Sequence, residues 1–404
     1  MSSEVMLSVA MPTHNRSHYA LRAIASILAI ENPALQLVVS DTSTDGLLEN
    51  SLRQEHPALL EDGRLKYTRV HDKSDMTDNY NRAVNGCDGE YICVIGDDDT
   101  ITSFAVDAAR WAFDHSHLII SQTISANYAW PDFRSSTFGM GHAGRLYVPR
   151  SVGQLLRRDS RADLLRANCD GLQGPIGLPL CYHGLVHRSL YMQAKSRTGQ
   201  FFHGASPDIS GAVAVAALSD YYLETDFPLT IPGAGGASNT GRAAMNDHKG
   251  DFNKEAQTIK FVESGWLPAI PRFFSAETIW AHAGLTTLLK LEPMLAKSYG
   301  YERLLALCRY RFPEYRLEIE RAMQEYCKFS DIENAELTRK LNKIIFTEKL
   351  TRLRYIFKRA AWPTASGGRK FISDIEDISE ARIVLERYMS HPRFSRNLPF
   401  CQVS

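Results

Sequence analysis

The sequence predicts an α/β fold in which a mostly parallel sheet is flanked by helices and followed by a helical C-terminal region. Three observations point to it. Strand-like and helix-like stretches alternate over the first hundred residues, the pattern of repeated strand–helix–strand units. Polar residues collect where the predicted strands end, at Thr13 to Arg16, at Asp41 and at Asp97 to Asp99. In sheets of this kind, ligands bind beyond the carboxyl ends of the strands. From about Ser275 onward strand signals fade and helical periodicity dominates.

The elements follow in order. Val5 to Pro12 is an apolar run read as a buried strand, and His18 to Ile30 carries apolar residues at helical spacing. Leu35 to Asp41 is a second strand, with a helix over Gly46 to Glu55. Leu65 to Val70 is a third strand, Met76 to Cys87 a helix, and Glu90 to Asp99 a fourth strand ending in acid. Farther on, His117 to Ile124 and Gly144 to Pro149 read as strands, and Leu178 to Ala194 as a strand running into a helix. Ser206 to Ser219 is a helix with Ser206 as N-cap and Pro207 in the first turn. Gly233 to Asp251, rich in Gly, Asn and small residues, reads as a mobile loop. The expected organisation is a catalytic-type domain over 1–235, a loop and connection over 236–270, and a helical region over 271–404.

Composition narrows the class. The 404 residues suffice for one large domain with an appendage or for two domains. Lys+Arg and Asp+Glu balance at 46 each, so net charge offers no argument for nucleic acid. Seven cysteines are scattered without a C-x-x-C pair, which speaks against a disulfide framework or a zinc site and fits a reducing cytoplasm. No signal-peptide pattern opens the chain, and no apolar run approaches the length of a membrane span.

The chemistry concentrates in Asp97-Asp98-Asp99. Three adjacent carboxylates repel one another, so they need a cation or close hydrogen bonding. A hard divalent ion, Mn²⁺ or Mg²⁺, takes oxygen ligands and shares them with phosphates, where it offsets charge on a leaving diphosphate. A solvated acidic turn is the plainer alternative for the triplet alone.

The triplet does not stand alone. "MPTHNR" follows the first strand, "SDTSTD" the second, and "DNYNRAVNGCDGEYICVIGDDD" closes the order. Over roughly Leu7 to Ile101 the sequence resembles the family 2 glycosyltransferases, which have the GT-A (Rossmann-like) fold. The resemblance implies an inverting transfer of sugar from a nucleotide-sugar donor, a UDP-sugar foremost, to a glycan or lipid-linked glycan acceptor in surface polysaccharide assembly. It implies that Pro12 and Thr13 lie against the nucleotide with Asn15 and Arg16 nearby, that Asp41 accepts a hydrogen bond from the base, and that Asn81 lines the donor pocket. Asp97 would reach the ribose, and Asp98 or Asp99 would hold the metal. Ser40 and Gly96 depart from the family pattern, each standing where an aspartate is usual. The family's acidic base at a helix start corresponds to Asp208, although its usual acidic neighbour is Pro207 here.

Within Gly233 to Asp251, Arg242, His248 and Lys249 are candidates for contacting the diphosphate, and His248 for a further metal ligand. His183, His187 and His203 are expected near the acceptor side in structural or substrate-orienting roles. The stretch Arg339 to Trp362 carries eight Lys/Arg and one Glu interleaved with apolar residues. It reads either as a peripheral contact with the inner face of a membrane or as a helix packed on the protein. Two other functions share part of the pattern: a sugar-phosphate nucleotidyltransferase, disfavoured because "MPTHNRSHYALR" has no glycine, and a non-catalytic glycan-binding protein, disfavoured because the acidic residues remain.

Overall fold

The computed structural model describes residues 5–71, 75–360, 362–395 and 399–401. Its centre is an eight-stranded sheet built from β1 (Leu7–Thr13), β2 (Leu35–Asp41), β3 (Leu65–Arg69), β4 (Tyr91–Val94), β5 (Ile119–Gln122), β6 (Leu155–Asp159), β7 (Leu185–His187) and β8 (Tyr221–Thr225). The spatial order is β3-β2-β1-β4-β7-β5-β8-β6. The first four strands pair in parallel, as do β5 and β8. The pairs β4–β7, β7–β5 and β8–β6 are antiparallel. The mostly parallel sheet expected from the alternating pattern is therefore present.

Alternation within strands explains the layers. Leu7, Val9 and Met11 of β1 point into the core that holds Ala20, Ile24 and Ile27 of α1 (Ser17–Leu28). Ala10, Val38, Ile92 and Val94 face the opposite side, against Ala83 and Val84 of α2 (Met76–Asn85). The period of two sends successive side chains to opposite faces, so both faces of a fully buried strand are apolar. Chain order reverses between β1 and β4: β1 leads to β2 on one side, whereas β4 joins β1 on the other. That break leaves a crevice beyond the carboxyl ends of β1 and β4.

The structure departs from the sequence reading in several elements. The fourth strand stops at Val94, because Ile95 to Asp99 turn away to satisfy their own polar groups. The helix α3 (Phe104–Asp114), the strand β6 and the helix Ser160–Cys169 were not anticipated. Gly233 to Asp251 is not a structureless loop. Gly233–Ala234 pairs with Asn127–Ala129, Ser238 caps the helix Asn239–Ala244 by accepting from the Gly241 amide, and Lys249–Gly250 pairs with Phe274–Ser275.

The boundary at 271 also needs correction. The C-terminal helices α5 (Ala276–Leu291), α6 (Tyr301–Arg311), α7 (Arg316–Ser330) and α8 (Asn334–Ala360) share a second core with α4 (Pro207–Ala217). Beyond them the chain returns to the first core. Phe371–Ile372 pairs with Arg145–Tyr147, and α9 (Ile378–Met389) buries Ile378, Ala381, Leu385 and Met389 on the α1 side of the sheet. The Glu386 carboxylate accepts from the Ser103 amide at the start of α3 at 2.6 Å. Residues 371–395 are thus structurally part of the N-terminal domain. Of the basic stretch 339–362, Ala361 lies outside the described residues, as do Met1 to Glu4.

Two histidines are buried for structural reasons. His203 is held by Thr198 and Gln200. His282 donates to the Gly265 carbonyl and stacks on Trp266 at 4.2 Å. Burial holds both rings well below the usual imidazole value, at about 4.

Two outcomes are expected. Leu385→Ala, which removes a fully buried side chain joining the C-terminal segment to the first core, should lower the unfolding free energy by about 2–4 kcal/mol in urea denaturation. The depressed histidines bind fewer protons folded than unfolded between pH 6.5 and 4. Their neutral-ring stabilisation is complete above pH 6.5 and is lost as pH falls toward 4. The urea midpoint should therefore fall from pH 7 to pH 5, with a smaller drop in His282→Phe.

Candidate functional site

Beyond β1 and β4 lies a cavity of about 770 Å³. Its floor is the acidic triplet. Its walls come from Pro12, Thr13 and Arg16 after β1, Thr42 after β2, Asn79 and Tyr80 on α2, and Ala237 to Thr240. Asp97, Asp98 and Asp99 are only 2–4% exposed. Three carboxylates buried side by side require compensation, and the structure shows where each finds it.

Arg16 bridges two of them. Its Nη1 lies 2.8 Å from Asp97 Oδ1, and its Nη2 lies 2.9 Å from Asp98 Oδ2. Thr13 Oγ1 donates to Asp97 Oδ2 at 2.6 Å. The Gly235 amide donates to Asp98 Oδ2, and Trp130 Nε1 donates to the Asp98 carbonyl at 3.0 Å. Asp99 is the most enclosed. The Gly96 amide and the Tyr182 hydroxyl donate to its Oδ2, the Gly233 amide donates to its Oδ1, and His183 Nε2 stands 3.3 Å away.

Two glycines make this packing possible. A Cβ on Gly233 would sit 1.7 Å from the Asp98 carbonyl oxygen, and one on Gly96 would sit 2.6 Å from the Tyr182 hydroxyl. Gly96, the departure from the family pattern, thus lets Tyr182 and Asp99 close over the turn.

The electrostatics are unbalanced. Burial pushes Asp97 and Asp98 upward against the pull of Arg16, Asp98 to about 7, with the neighbouring aspartates adding to the rise. Burial acts on Asp99 in the same sense, but His183 and the two glycine amides hold its carboxyl below the ordinary value. Burial opposes the Arg16 charge, but Asp97 and Asp98 more than offset it, so the guanidinium is held more firmly protonated than usual. One guanidinium faces three carboxylates.

That imbalance is the test of whether a divalent cation fits. Among the described residues no three His, Cys, Asp or Glu side chains converge as a ligand set. A cation held wholly by protein therefore does not fit. One held by one or two carboxylates and shared with substrate phosphates does. Asp98 lines the cavity, and its Oδ1 receives no hydrogen bond from a described residue. Asp99 has both oxygens engaged by protein donors, which makes it a support for the turn in this structure. His248 packs against Phe274, off the cavity wall, and is not grouped with Asp98.

The other expected residues divide. Pro12, Thr13, Arg16 and Asp97 to Asp99 come together at the cavity. Asn15 instead ties two loops, accepting from the Thr44 amide while its own amide donates to Ser43 Oγ. Asp41 is fully buried behind the wall, accepting from Tyr67 and from the Ser43 amide. Asn81 straps α2 to Phe201 and Phe202 through their backbone groups. On α2 the cavity asparagine is Asn79, two residues earlier, which donates to the Thr13 carbonyl and whose buried Oδ1 has no partner among the described residues. Arg242 is paired with Glu255, and Lys249 with Glu314. Besides Arg16, Lys260 lines the cavity, paired with Asp75, and neither it nor Asp78 was singled out from the sequence.

Asp208 sits in the first turn of α4, accepting from the Ser206 hydroxyl and the Ile209 amide. It is near but not on the cavity wall. Tyr80, which is on the wall, feels the charges of both Asp208 and Asp97. Of the three histidines, His183 joins the site, His203 is structural, and His187 lies opposite Tyr91 at the far end of β4, away from the cavity.

A parallel-sheet domain with a carboxylate-floored cavity at its switch point is the class of protein that binds a small ligand at the strand ends. Residues 8–145 match the family described as glycosyl transferase family 2. The putative colanic acid biosynthesis glycosyl transferase WcaA of Escherichia coli (strain K12) is 32% identical over 105 residues, 25% of this chain. The match spans 36% of that relative's length. Among solved structures, S. aureus TarS 1–349 in complex with UDP-GlcNAc is 13% identical with a TM-score of 0.40, over 81% of this chain and 93% of that one. The mannosyltransferase PcManGT from Pyrobaculum calidifontis, in complex with GDP-Man and Mn²⁺, is 16% identical with a TM-score of 0.37, over 84% and 87%. Both are too distant in shape to bear on function.

Removing the bridging cation should expose the imbalance. Arg16→Met leaves Asp97 and Asp98 buried without their counter-charge and should destabilise the fold by up to about 3 kcal/mol, less than a wholly buried pair because the guanidinium is partly exposed. Mn²⁺ should raise the melting temperature of this variant more than that of the wild type, and adding Asp98→Asn should abolish the difference.

Proposed function

We propose that the chain is an inverting glycosyltransferase that moves a sugar from a nucleotide-sugar, a UDP-sugar first, to a hydroxyl of a growing surface glycan. The observation that carries this reading is the burial of Asp97 to Asp99 beside a single guanidinium at the floor of a cavity, within the segment that matches family 2. A nucleotide diphosphate entering with a divalent cation would complete that charge balance. The name of the E. coli relative, a colanic acid biosynthesis enzyme, supports the polysaccharide setting.

In this reading Pro12, Thr13 and Asn79 line the nucleotide half of the cavity. The orphaned Asn79 Oδ1 would accept from the nucleoside, the role the sequence had suggested for Asp41. Asp97, oriented by Thr13, would take the ribose. Asp98 would hold Mn²⁺ or Mg²⁺, which as a Lewis acid would offset charge on the leaving diphosphate. Arg16 would be drawn from the carboxylates toward the phosphates as the cation arrives.

Transfer then needs a base for the acceptor hydroxyl. The acceptor oxygen bonds to the anomeric carbon as the bond to the diphosphate oxygen breaks, and the hydroxyl proton passes to a carboxylate. Asp208 is proposed for this role. Its place at the amino end of α4 favours the anion. Asp78 is the second reading, because it lines the cavity directly and its carboxyl is raised by burial and by Asp75.

Nucleotide release from a panel of UDP- and GDP-sugars, with Mn²⁺ and then with EDTA, tests the activity. Metal-dependent release is expected. Binding without release would mark a non-catalytic binder, and dependence on pyrophosphate would mark a nucleotidyltransferase. Asp98→Ala should lose metal-dependent donor binding. Asp208→Asn should keep donor binding and lower kcat by about 10²–10⁴. Full turnover in Asp208→Asn with an inactive Asp78→Asn would move the base to Asp78.

A further inference from the structure

The distal half of α8 carries an apolar stripe that no described residue covers. Phe346, Leu350, Leu353 and Phe357 follow one another at spacings of four, three and four residues, which places them along one side of a helix. Phe346 is 63% exposed and Phe357 75%, with Leu350 and Leu353 about half exposed. The opposite side of the helix holds it to the protein. Leu337 and Leu341 are buried in the second core, Ile344 and Ile345 pack against it, and Glu348 pairs with Arg303 at 2.7 Å. From Lys349 to Phe357 every residue is exposed, and beyond them Arg359 lies 5.0 Å over the Phe138 ring, so the segment is a solvent-facing span between two anchored ends.

Charge decides what such a stripe would meet. Lys343 and Arg354 flank it on one side, and Lys349 and Arg352 on the other. The one acidic residue between Arg339 and Phe357, Glu348, is turned inward to Arg303 and Arg311. The four-three spacing would also suit a coiled coil with a second copy. There, however, Lys349 and Arg354 would occupy the flanking positions that face each other across the pair, and like charges would meet in parallel and antiparallel arrangements alike. An anionic lipid surface meets both requirements: its acyl boundary accepts Phe and Leu, and its headgroups attract Lys and Arg. No helix among the described residues is long and apolar enough to cross a membrane, so the contact would be a surface one.

We infer that residues 346–357 of α8 form a docking surface for an anionic membrane, with the apolar stripe in the interface and the flanking cations on the headgroups. The inference does not depend on the glycosyltransferase reading, because its test involves no sugar donor.

The test is co-sedimentation of the full chain with phosphatidylcholine vesicles, with and without about 30% phosphatidylglycerol. Binding should require the anionic lipid and weaken as salt rises. Leu353→Glu combined with Phe357→Glu should lower the bound fraction at least about tenfold. These side chains are exposed, so the urea midpoint should stay within error of the wild type. Lys349→Glu with Arg354→Glu should remove the preference for anionic vesicles without touching the stripe. Equal binding to neutral and anionic vesicles, or undiminished binding by both variants, overturns the inference. So does a wild-type dimer that ignores vesicles and that Phe357→Glu converts to monomer, because the occupant would then be a second copy.

Discussion

The pairing of one guanidinium with three buried carboxylates governs this structure. Arg16 reaches Asp97 and Asp98, while Asp99 is satisfied by backbone amides, Tyr182 and His183. Taking three carboxylates out of water is costly unless each is paired or hydrogen-bonded. Much of the surrounding chain is arranged to provide those partners. The turn after β4, the close approach of Gly233 and Gly235, and the side chains of Trp130 and Thr13 all terminate on the triplet. What they leave is a residual negative charge at a cavity floor, a property that serves a cationic or cation-bearing ligand better than a packed core.

The fold makes this arrangement accessible. At the reversal between β1 and β4 the chain passes on either side of a gap, and both strands deliver polar residues to its edge. The segment from Gly233 to Ala244 closes one wall as ordered structure, using glycines where a side chain would collide with the Asp98 carbonyl. The cavity therefore draws on residues far apart in sequence: the first strand, the α2 helix, the acidic turn, and the 232–240 and 256–260 segments.

The C-terminal third performs two structural tasks. Helices α5 to α8 build a second core with α4, the helix that carries Asp208, so the position of a candidate base is tied to the stability of the helical region. The final segment then crosses back and seals the α1 side of the sheet with Leu385 and Met389. The exposed stretch of α8 from Lys349 to Phe357 takes no part in either core, and there the apolar side chains lie in the open among cations.

The sequence by itself determined most of the strands and helices of the sheet layers and the identity of the acidic cluster. Those features depend on local periodicity and on residues that are consecutive in the chain, so Asp97 to Asp99 with Thr13 and Arg16 were legible before any coordinates. Tertiary structure alone decided which polar residues face the cavity. Asn79 lines it and Asn81 does not, although the two sit on one helix, because the direction of α2 over β1 points one into the cavity and the other toward Phe201 and Phe202. Asp41 and Asn15 were spent on loop contacts with Tyr67, Ser43 and Thr44 that no spacing rule foretells. The return of residues 371–395 to the first core was equally hidden, since the helical period of α9 shows an apolar face without saying which core will bury it.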